Sequence, residues 1–265
     1  MSLDAATCDR LGEELYACLR DGRTVAPLTE RHPDIDIDDA YRISRAMLAL
    51  RQSRDGERVV GKKIGVTSAA VQDMLGVFQP DFGFLTHPME YANGTAIPIA
   101  GNLIQPRAEG EIAFRLKSDL RGPGIDEAAV LAATDCIQPC FEIVDSRIDD
   151  WRIAIEDTIA DNASCGVFVL GDERIDPRGL DLAALEVVVS KNGEPLSRGL
   201  GSAVQGNPLT AVAWLANTLG ELGIPFLAGE IILSGSLVPL EPAVAGDHFS
   251  LDLAGLGSVS LSFTE

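Results

Sequence analysis

Helical periodicity in this chain is strongest before Gly56, and period-two alternation dominates from about Arg107 onward. That order excludes a fold in which strand and helix alternate throughout. Leu11, Leu15, Cys18 and Leu19 recur at helical spacing, and Asp21-Gly22 closes the segment. Asp38 or Asp39 caps a second helix with Ala40, Ile43, Met47 and Leu50 on its apolar face and Asp55-Gly56 as its stop. Val59 to Val66 then reads as a strand, Ser68 to Leu75 as a short helix, and Gln79-Pro80-Asp81-Phe82-Gly83 as a loop or turn. Ala108 to Leu116 and Ile137 to Val144 predict strands. Asn192-Gly193 predicts a hairpin joining Leu185–Ser190 to Glu194–Arg198. Pro208 to Leu222 predicts an amphipathic helix, Ile231 to Leu237 a strand, and Phe249 to Phe263 a hairpin turning at Gly255 to Gly257. The expected fold is α+β. A small, mainly helical region over residues 1–75 precedes a β-rich core over residues 76–265, and the two form one cooperative unit.

Charge narrows the function. A formal net charge of -19 repels nucleic acid and anionic lipid, so neither is an expected partner. No run approaches the roughly 20 apolar residues of a membrane span. Met1 to Leu15 carries Asp4, Asp9, Glu13 and Glu14 and does not read as a signal peptide. The expected compartment is the cytoplasm. Cys8, Cys18, Cys136, Cys140 and Cys165 lack paired spacing and a histidine cluster, so reduced, buried thiols are expected rather than disulfides or zinc ligands.

The segment Gln105-Pro106-Arg107-Ala108-Glu109-Gly110-Glu111-Ile112-Ala113-Phe114 carries the most chemistry. On a strand, Glu109 and Glu111 project from one face. Burying two adjacent carboxylates costs several kcal/mol each unless a cation lies between them. Glu142, in Phe141-Glu142-Ile143-Val144-Asp145, is a third acid among apolar residues. Three inward carboxylates suit a hard divalent ion, Mg²⁺ or Mn²⁺, with open positions for a bidentate ligand. A solvent-facing strand edge would also explain Glu109 and Glu111. Lys62 and Lys63 face opposite ways on a strand, one solvated and one inward. Asp81 fits either a turn cap or a carboxylate presented to a cleft. Asp161, Asn162 and Ser164 fit either a loop-to-strand junction or a substrate-positioning group. His32, His87 and His248 are isolated, and Gly199-Leu200-Gly201 is too weak a signal for a nucleotide. Without a Gly-x-Ser-x-Gly elbow, a Ser-His-Asp hydrolase is set aside.

Six motifs occur in order along nearly the whole chain. They are Gly61-Lys62-Lys63-Ile64-Gly65-Val66-Thr67, Gln79 to Gly83, the Glu-x-Glu strand, Phe141 to Arg147, Ala160-Asp161-Asn162-Ala163-Ser164-Cys165-Gly166, and Ile232 to Pro239. Together they resemble the 2-hydroxypenta-2,4-dienoate (2-oxopent-4-enoate) hydratases of aromatic and steroid meta-cleavage pathways, in the hydratase/decarboxylase family of the fumarylacetoacetase-like superfamily. The resemblance implies a fumarylacetoacetase C-terminal-like core with Glu109, Glu111 and Glu142 as metal ligands. It selects Lys63 as the inward lysine and Asp81 as the leading acid/base residue. Ser164 and Asp161 are implied in catalysis, and Asn162 and Ser236 in substrate contact.

The implied reaction adds water to a 2-hydroxy-dienoate and yields a 4-hydroxy-2-oxo acid, which makes the protein a hydro-lyase. A 2-oxo-3-hexenedioate (4-oxalocrotonate) decarboxylase is the alternative, and a non-catalytic acidic metal-binding protein a more distant one. Related C–C hydrolases typically carry a lysine where this chain has Asp161, which argues against their chemistry here. A homo-oligomer, pentamer-based and up to a decamer, and a complex with a pathway decarboxylase or aldolase also follow from the resemblance.

Overall fold

The computed structural model describes residues 2–265. Its N-terminal part is helical: α1 (Ala5–Asp21), α2 (Leu28–Arg31) and α3 (Ile37–Asp55). Asp4 caps α1 by accepting from the Thr7 N–H, and Asp36 caps α3 by accepting from the Asp39 N–H. Gly22 and Gly56 end the two helices at φ +63° and +68°, left-handed values that glycine adopts without a Cβ penalty. Leu11, Leu15, Ile43 and Met47 form a small core that also takes in Ile148 and Ile159 from later in the chain.

The remaining elements are β1 (Val59–Gly65), α4 (Ala69–Leu75), β2 (Asp81–Thr86), β3 (Glu90–Tyr91), β4 (Ala96–Pro98), β5 (Arg107–Leu116), α5 (Glu127–Ala133), β6 (Thr134–Val144), α6 (Ile155–Ala160), β7 (Cys165–Leu170), β8 (Glu186–Lys191), β9 (Glu194–Leu200), α7 (Pro208–Glu221), β10 (Ile231–Leu233), β11 (Glu241–Pro242), β12 (His248–Leu253) and β13 (Gly257–Thr264). The large sheet runs β2-β1-β10-β5-β6-β7-β3, with β11 also on β5. The second sheet runs β4-β13-β12-β8-β9. Its inner residues, among them Val187, Val189, Phe249 and Leu251, pack with Ile112, Phe114, Phe141 and Ile143 of the large sheet in the main core. Gly110 permits that approach, because a Cβ there would meet Leu251 Cδ1 at 2.9 Å and Val189 Cγ2 at 3.0 Å.

The opposite face of the large sheet curls inward. β2 and β7 are separated by four strands in the sheet order, yet they touch. Gly83 makes that closure possible: a Cβ there would lie 2.4 Å from the Asn162 carbonyl oxygen and 2.7 Å from Cys165 Sγ. Leu85, Ala113, Cys140, Phe168 and Leu233 fill the resulting interior, and Glu109, Glu111, Glu142 and Lys63 are buried with them.

The α+β expectation is met, with helices first and a β-rich core after them. Four local expectations need correction, the first being the cap of α3, which is Asp36 rather than Asp38 or Asp39 because the helix already begins at Ile37. Asp81 starts a strand rather than sitting in a turn, because the turn signal of Gln79-Pro80 covers only the entry, while Phe82 to Leu85 bury and pair with β1. The strand expected over Ile231 to Leu237 stops at Leu233, since Gly235 lies at φ +103° against the Thr67 side chain. β1 precedes residue 75 yet is an interior strand of the large sheet. All five cysteines are free and buried, and among the described residues no helix is long and apolar enough to cross a membrane.

Candidate metal centre and active site

β5 and β6 pair antiparallel with Glu109 directly opposite Glu142 and Glu111 opposite Cys140. Alternation keeps Glu109, Glu111 and Glu142 on one face, and one carboxylate oxygen from each lies within 4.8 Å of the other two. All three are buried; Glu111 is 0% exposed. Glu111 Oε2 accepts from the Gly235 N–H at 2.9 Å, so the bend that ends β10 also orients this carboxylate. Among the described residues, Glu111 Oε1 and both oxygens of Glu142 are buried without a hydrogen-bond partner.

Native folds rarely leave such oxygens orphaned. Burial and the neighbouring Glu142 charge push the Glu109 carboxyl up to about 8. Burial, with Glu142 and Glu109, pushes Glu111 well above the usual carboxylate range. Burial also raises Glu142, against the opposing pull of Lys63. The donor set is hard, anionic and oxygen-only, and a divalent cation relieves the repulsion and satisfies the orphaned oxygens together. The cluster therefore fits a divalent metal.

Lys63 reaches the cluster from β1. β1 and β6 are three strand spacings apart, roughly 14 Å in a flat sheet, yet Lys63 Nζ lies 3.4 Å from Glu142 Oε1. The curl of the sheet and the length of both side chains close that gap. Burial opposes the ammonium charge, but Glu142, Asp81 and Glu109 around it hold the proton and push the amine above its ordinary range. Lys62 points the other way, to a buried ion pair with Glu230 and to the Pro225 carbonyl.

Asp81 pairs in register with Gly65, and the absent side chain of Gly65 makes room for the site. A Cβ there would lie 2.1 Å from Asp81 Oδ1 and 3.3 Å from Lys63 Nζ. Asp81 Oδ2 accepts from Thr158 Oγ1 at 3.1 Å, whereas Oδ1 has no hydrogen-bond partner among the described residues. Burial raises the Asp81 carboxyl, with Lys63 pulling it back. Thr158 Oγ1 also lies 3.4 Å from Ser164 Oγ, so Asp81, Thr158 and Ser164 form a polar chain.

Asn162, Ala163 and Ser164 lie at φ +55°, +52° and +52°. Three consecutive non-glycine residues in this region cost about 1–3 kcal/mol each, and Asn162 braces the turn. Its Nδ2 donates to the Phe84 carbonyl at 3.0 Å and its Oδ1 accepts from the Phe84 N–H at 2.8 Å. Asp161 turns away from the cavity. Its Oδ1 accepts from Arg147 Nε at 2.5 Å and its Oδ2 from the Arg147 backbone N–H at 2.8 Å, both residues being fully buried. Ser236 Oγ donates to the Val238 carbonyl at 2.7 Å.

The structure thus brings Lys63, Asp81, Glu109 and Ser164 to one narrow cavity, with Glu111 and Glu142 in the same cluster. Asp161, Asn162 and Ser236 do not line it. Sequence reasoning missed Thr158 and Gly65. Thr158 lies on α6, three residues before the Asp161-Asn162 pair, and only the closure of the sheet sets it against Asp81. The rest of the wall is apolar and includes Val66, Val71, Val144, Trp151, Ile153 and Leu240.

The fumarylacetoacetate (FAA) hydrolase C-terminal family matches residues 62–263. A 2-hydroxyhexa-2,4-dienoate hydratase of Comamonas testosteroni is 64% identical over 255 residues, covering 96% of each chain. A 2-hydroxypent-2,4-dienoate hydratase of Pseudomonas putida is 60% identical, over 84% of this chain and 100% of that protein. The solved structure of 4-oxalocrotonate decarboxylase from Pseudomonas putida G7, complexed with magnesium and adipate, superposes with a TM-score of 0.93 at 34% identity over 98% of each chain. The chain belongs to the fumarylacetoacetate hydrolase C-terminal family, within the group that holds the 2-hydroxydienoate hydratases and 4-oxalocrotonate decarboxylase.

Proposed function

We propose that this protein is a metal-dependent hydro-lyase that adds water to 2-hydroxypenta-2,4-dienoate or a close homologue, giving a 4-hydroxy-2-oxo acid in meta-cleavage degradation of aromatic or steroid compounds. The observation that carries this reading is the convergence of three buried carboxylates beside Lys63 and Asp81. Glu109, Glu111 and Glu142 would hold Mg²⁺ or Mn²⁺. When bound, that ion supplies Lewis acidity toward the carboxylate and 2-oxo oxygens of an acid.

The chain's own residues then have two tasks. Protons must reach the far end of the dienol and, after water adds at C4, must reach C3. Asp81, with a raised carboxyl, an unpartnered oxygen and a hydroxyl chain through Thr158 to Ser164, suits that transfer. Lys63 keeps its proton and places a fixed positive charge where negative charge develops on the substrate. For Asp161, Asn162 and Ser236 we propose positioning roles, because their hydrogen-bonding atoms are already engaged by Arg147, Phe84 and Val238.

The decarboxylase alternative requires a cationic contact for a second carboxylate. Lys63 is the only basic side chain among the described residues lining the cavity. Identity of 60–64% to hydratases against 34% to the decarboxylase favours hydration as well. The same proposal includes a cytoplasmic, pentamer-based homo-oligomer able to contact a pathway decarboxylase or aldolase, for which sedimentation is the direct test. The activity test follows loss of dienoate absorbance and release of CO₂ from 2-oxo-3-hexenedioate, with Mg²⁺ and with chelator. Metal-dependent hydration without CO₂ release is expected. Rapid CO₂ release with no hydration would reject the assignment.

A further inference from the structure

The cavity is lined by a charged group of residues and by an apolar group that packs together. Lys63, Asp81 and Glu109 mark the first, and Val71, Trp151 and Leu240 the second. Its free interior, about 20 Å³ of room for the centre of a water-sized sphere, is on the order of a single water site. Room for the carbons of a longer tail must therefore come from beyond the wall. Trp151 is the part of the wall with empty space behind it. The same side chain lines a second, mostly apolar pocket with about 590 Å³ of comparable room, together with Ile99, Ile104, Gln105, Arg107 and Pro242.

Trp151 is clamped rather than loosely packed. Its Nε1 donates to the Gln105 carbonyl at 3.0 Å, and the Arg107 guanidinium sits 4.5 Å from its ring centroid. It packs with Val71, Val144 and Leu240, all of which line the catalytic cavity. Asp150 and Trp151 lie at φ +54° and +57°, a left-handed conformation that costs a bulky residue roughly 1–2 kcal/mol each and persists only where the surroundings enforce it. The ring is thus held as a partition between two spaces.

We infer that Trp151 is a specificity-determining residue, the partition that limits how long a 2-hydroxydienoate tail the enzyme accepts. The inference rests on the hydratase reading. The carboxylate and 2-oxygen of the substrate belong beside the charged group, so carbons from C5 outward run toward the indole. Opening the partition joins the cavity to the larger pocket and gives longer tails an apolar berth. One methylene in a closed apolar site is worth about 10- to 200-fold in selectivity.

Two measurements test this on the Mg²⁺-loaded protein. In the first, kcat/KM is compared for five-carbon, six-carbon and longer 2-hydroxydienoates in wild type, Trp151→Ala and Trp151→Phe. The ratio of long to five-carbon substrate rises at least tenfold in Trp151→Ala, and Trp151→Phe, which keeps a ring but loses the Gln105 bond, falls between. In the second, calorimetry follows binding of unbranched saturated 2-oxo acids of four to eight carbons to the wild-type protein, which needs neither turnover nor a variant. Affinity breaks at least tenfold at one chain length. An unchanged ratio in a folded variant, or an unbroken affinity series in wild type, overturns the role of Trp151. Failure of the wild type to hydrate any dienoate would instead count against the hydratase reading, and the binding series would still decide the partition.

Discussion

At the residue scale, the site is governed by charges that burial makes costly. Glu111 is fully buried, one of its oxygens has no hydrogen-bond partner among the described residues, and Glu142 and Glu109 repel it. Glu111→Gln should therefore stabilise the metal-free protein by about 1–3 kcal/mol and abolish the stabilisation that Mg²⁺ confers on wild type. Thermal melts at neutral pH in chelator and in excess Mg²⁺ check both halves, and a variant less stable than wild type in chelator would contradict the repulsion argument. Glu109→Gln should likewise lose turnover through loss of metal, seen by calorimetric titration with Mg²⁺. Asp81 sits beside the cluster but outside it. Asp81→Asn is expected to lower kcat by about 10²- to 10⁴-fold with Mg²⁺ affinity nearly unchanged. Parallel loss of metal binding and turnover would remove the residue from the proton-transfer role.

At the element scale, one buried carboxylate ties α1 and α3 of the N-terminal part to the sheet, beside the stacking of Tyr41 of α3 on Phe82 of β2. Glu57, just beyond α3, pairs with Arg51 of α3 at 2.8 Å and with Arg20 of α1 at 2.5 Å, and accepts from Thr86 of β2 at 2.5 Å. Burial pushes the Glu57 carboxyl up, but Arg51, Thr86 and Arg20 outweigh it and hold the group below the ordinary range near 4.5. A lowered folded-state value means that the stability Glu57 contributes is fully present above about pH 4.5 and is lost as pH falls through the lower folded value. Glu57→Gln leaves the buried Arg51 uncompensated and should cost about 3 kcal/mol at neutral pH, with the difference from wild type shrinking on acidification. Denaturant melts at pH 7 and pH 4 measure this; an equal difference at both would break the link to titration. The junctions between elements were the least legible parts of the fold. Asn162 to Ser164 read as small polar residues at a strand boundary, and nothing local announces three consecutive left-handed residues.

At the scale of the whole molecule, the carboxylate cluster, the lysine and the polar chain come from β5, β6, β1, β2 and α6, which meet only when the large sheet has curled. The core under the helices also contains Ile148 and Ile159 from the later part of the chain. Residues 1–75 and 76–265 should accordingly unfold in one transition, with calorimetric and van't Hoff enthalpies equal within error. Mg²⁺ at about a hundred times its Kd should stabilise the whole unit by about 2.7 kcal/mol. Two separated transitions, with Mg²⁺ shifting only one, would show that the helical part folds apart from the site.

The amino-acid sequence by itself determined the α+β class, the strand that carries Glu109 and Glu111 on one face, and the six-motif resemblance that singles out Lys63, Asp81 and Glu142. Those features are local: alternation along a strand, turn chemistry and residue order need no distant partner to be read. Only the tertiary structure decided that Asp161 spends its charge on Arg147, that Asn162 braces Phe84, and that Thr158 faces Asp81. It also decided that Trp151 stands between two spaces. Each of these depends on a contact between segments far apart in the chain, and such contacts are set by how the sheet closes on itself rather than by any pattern along it.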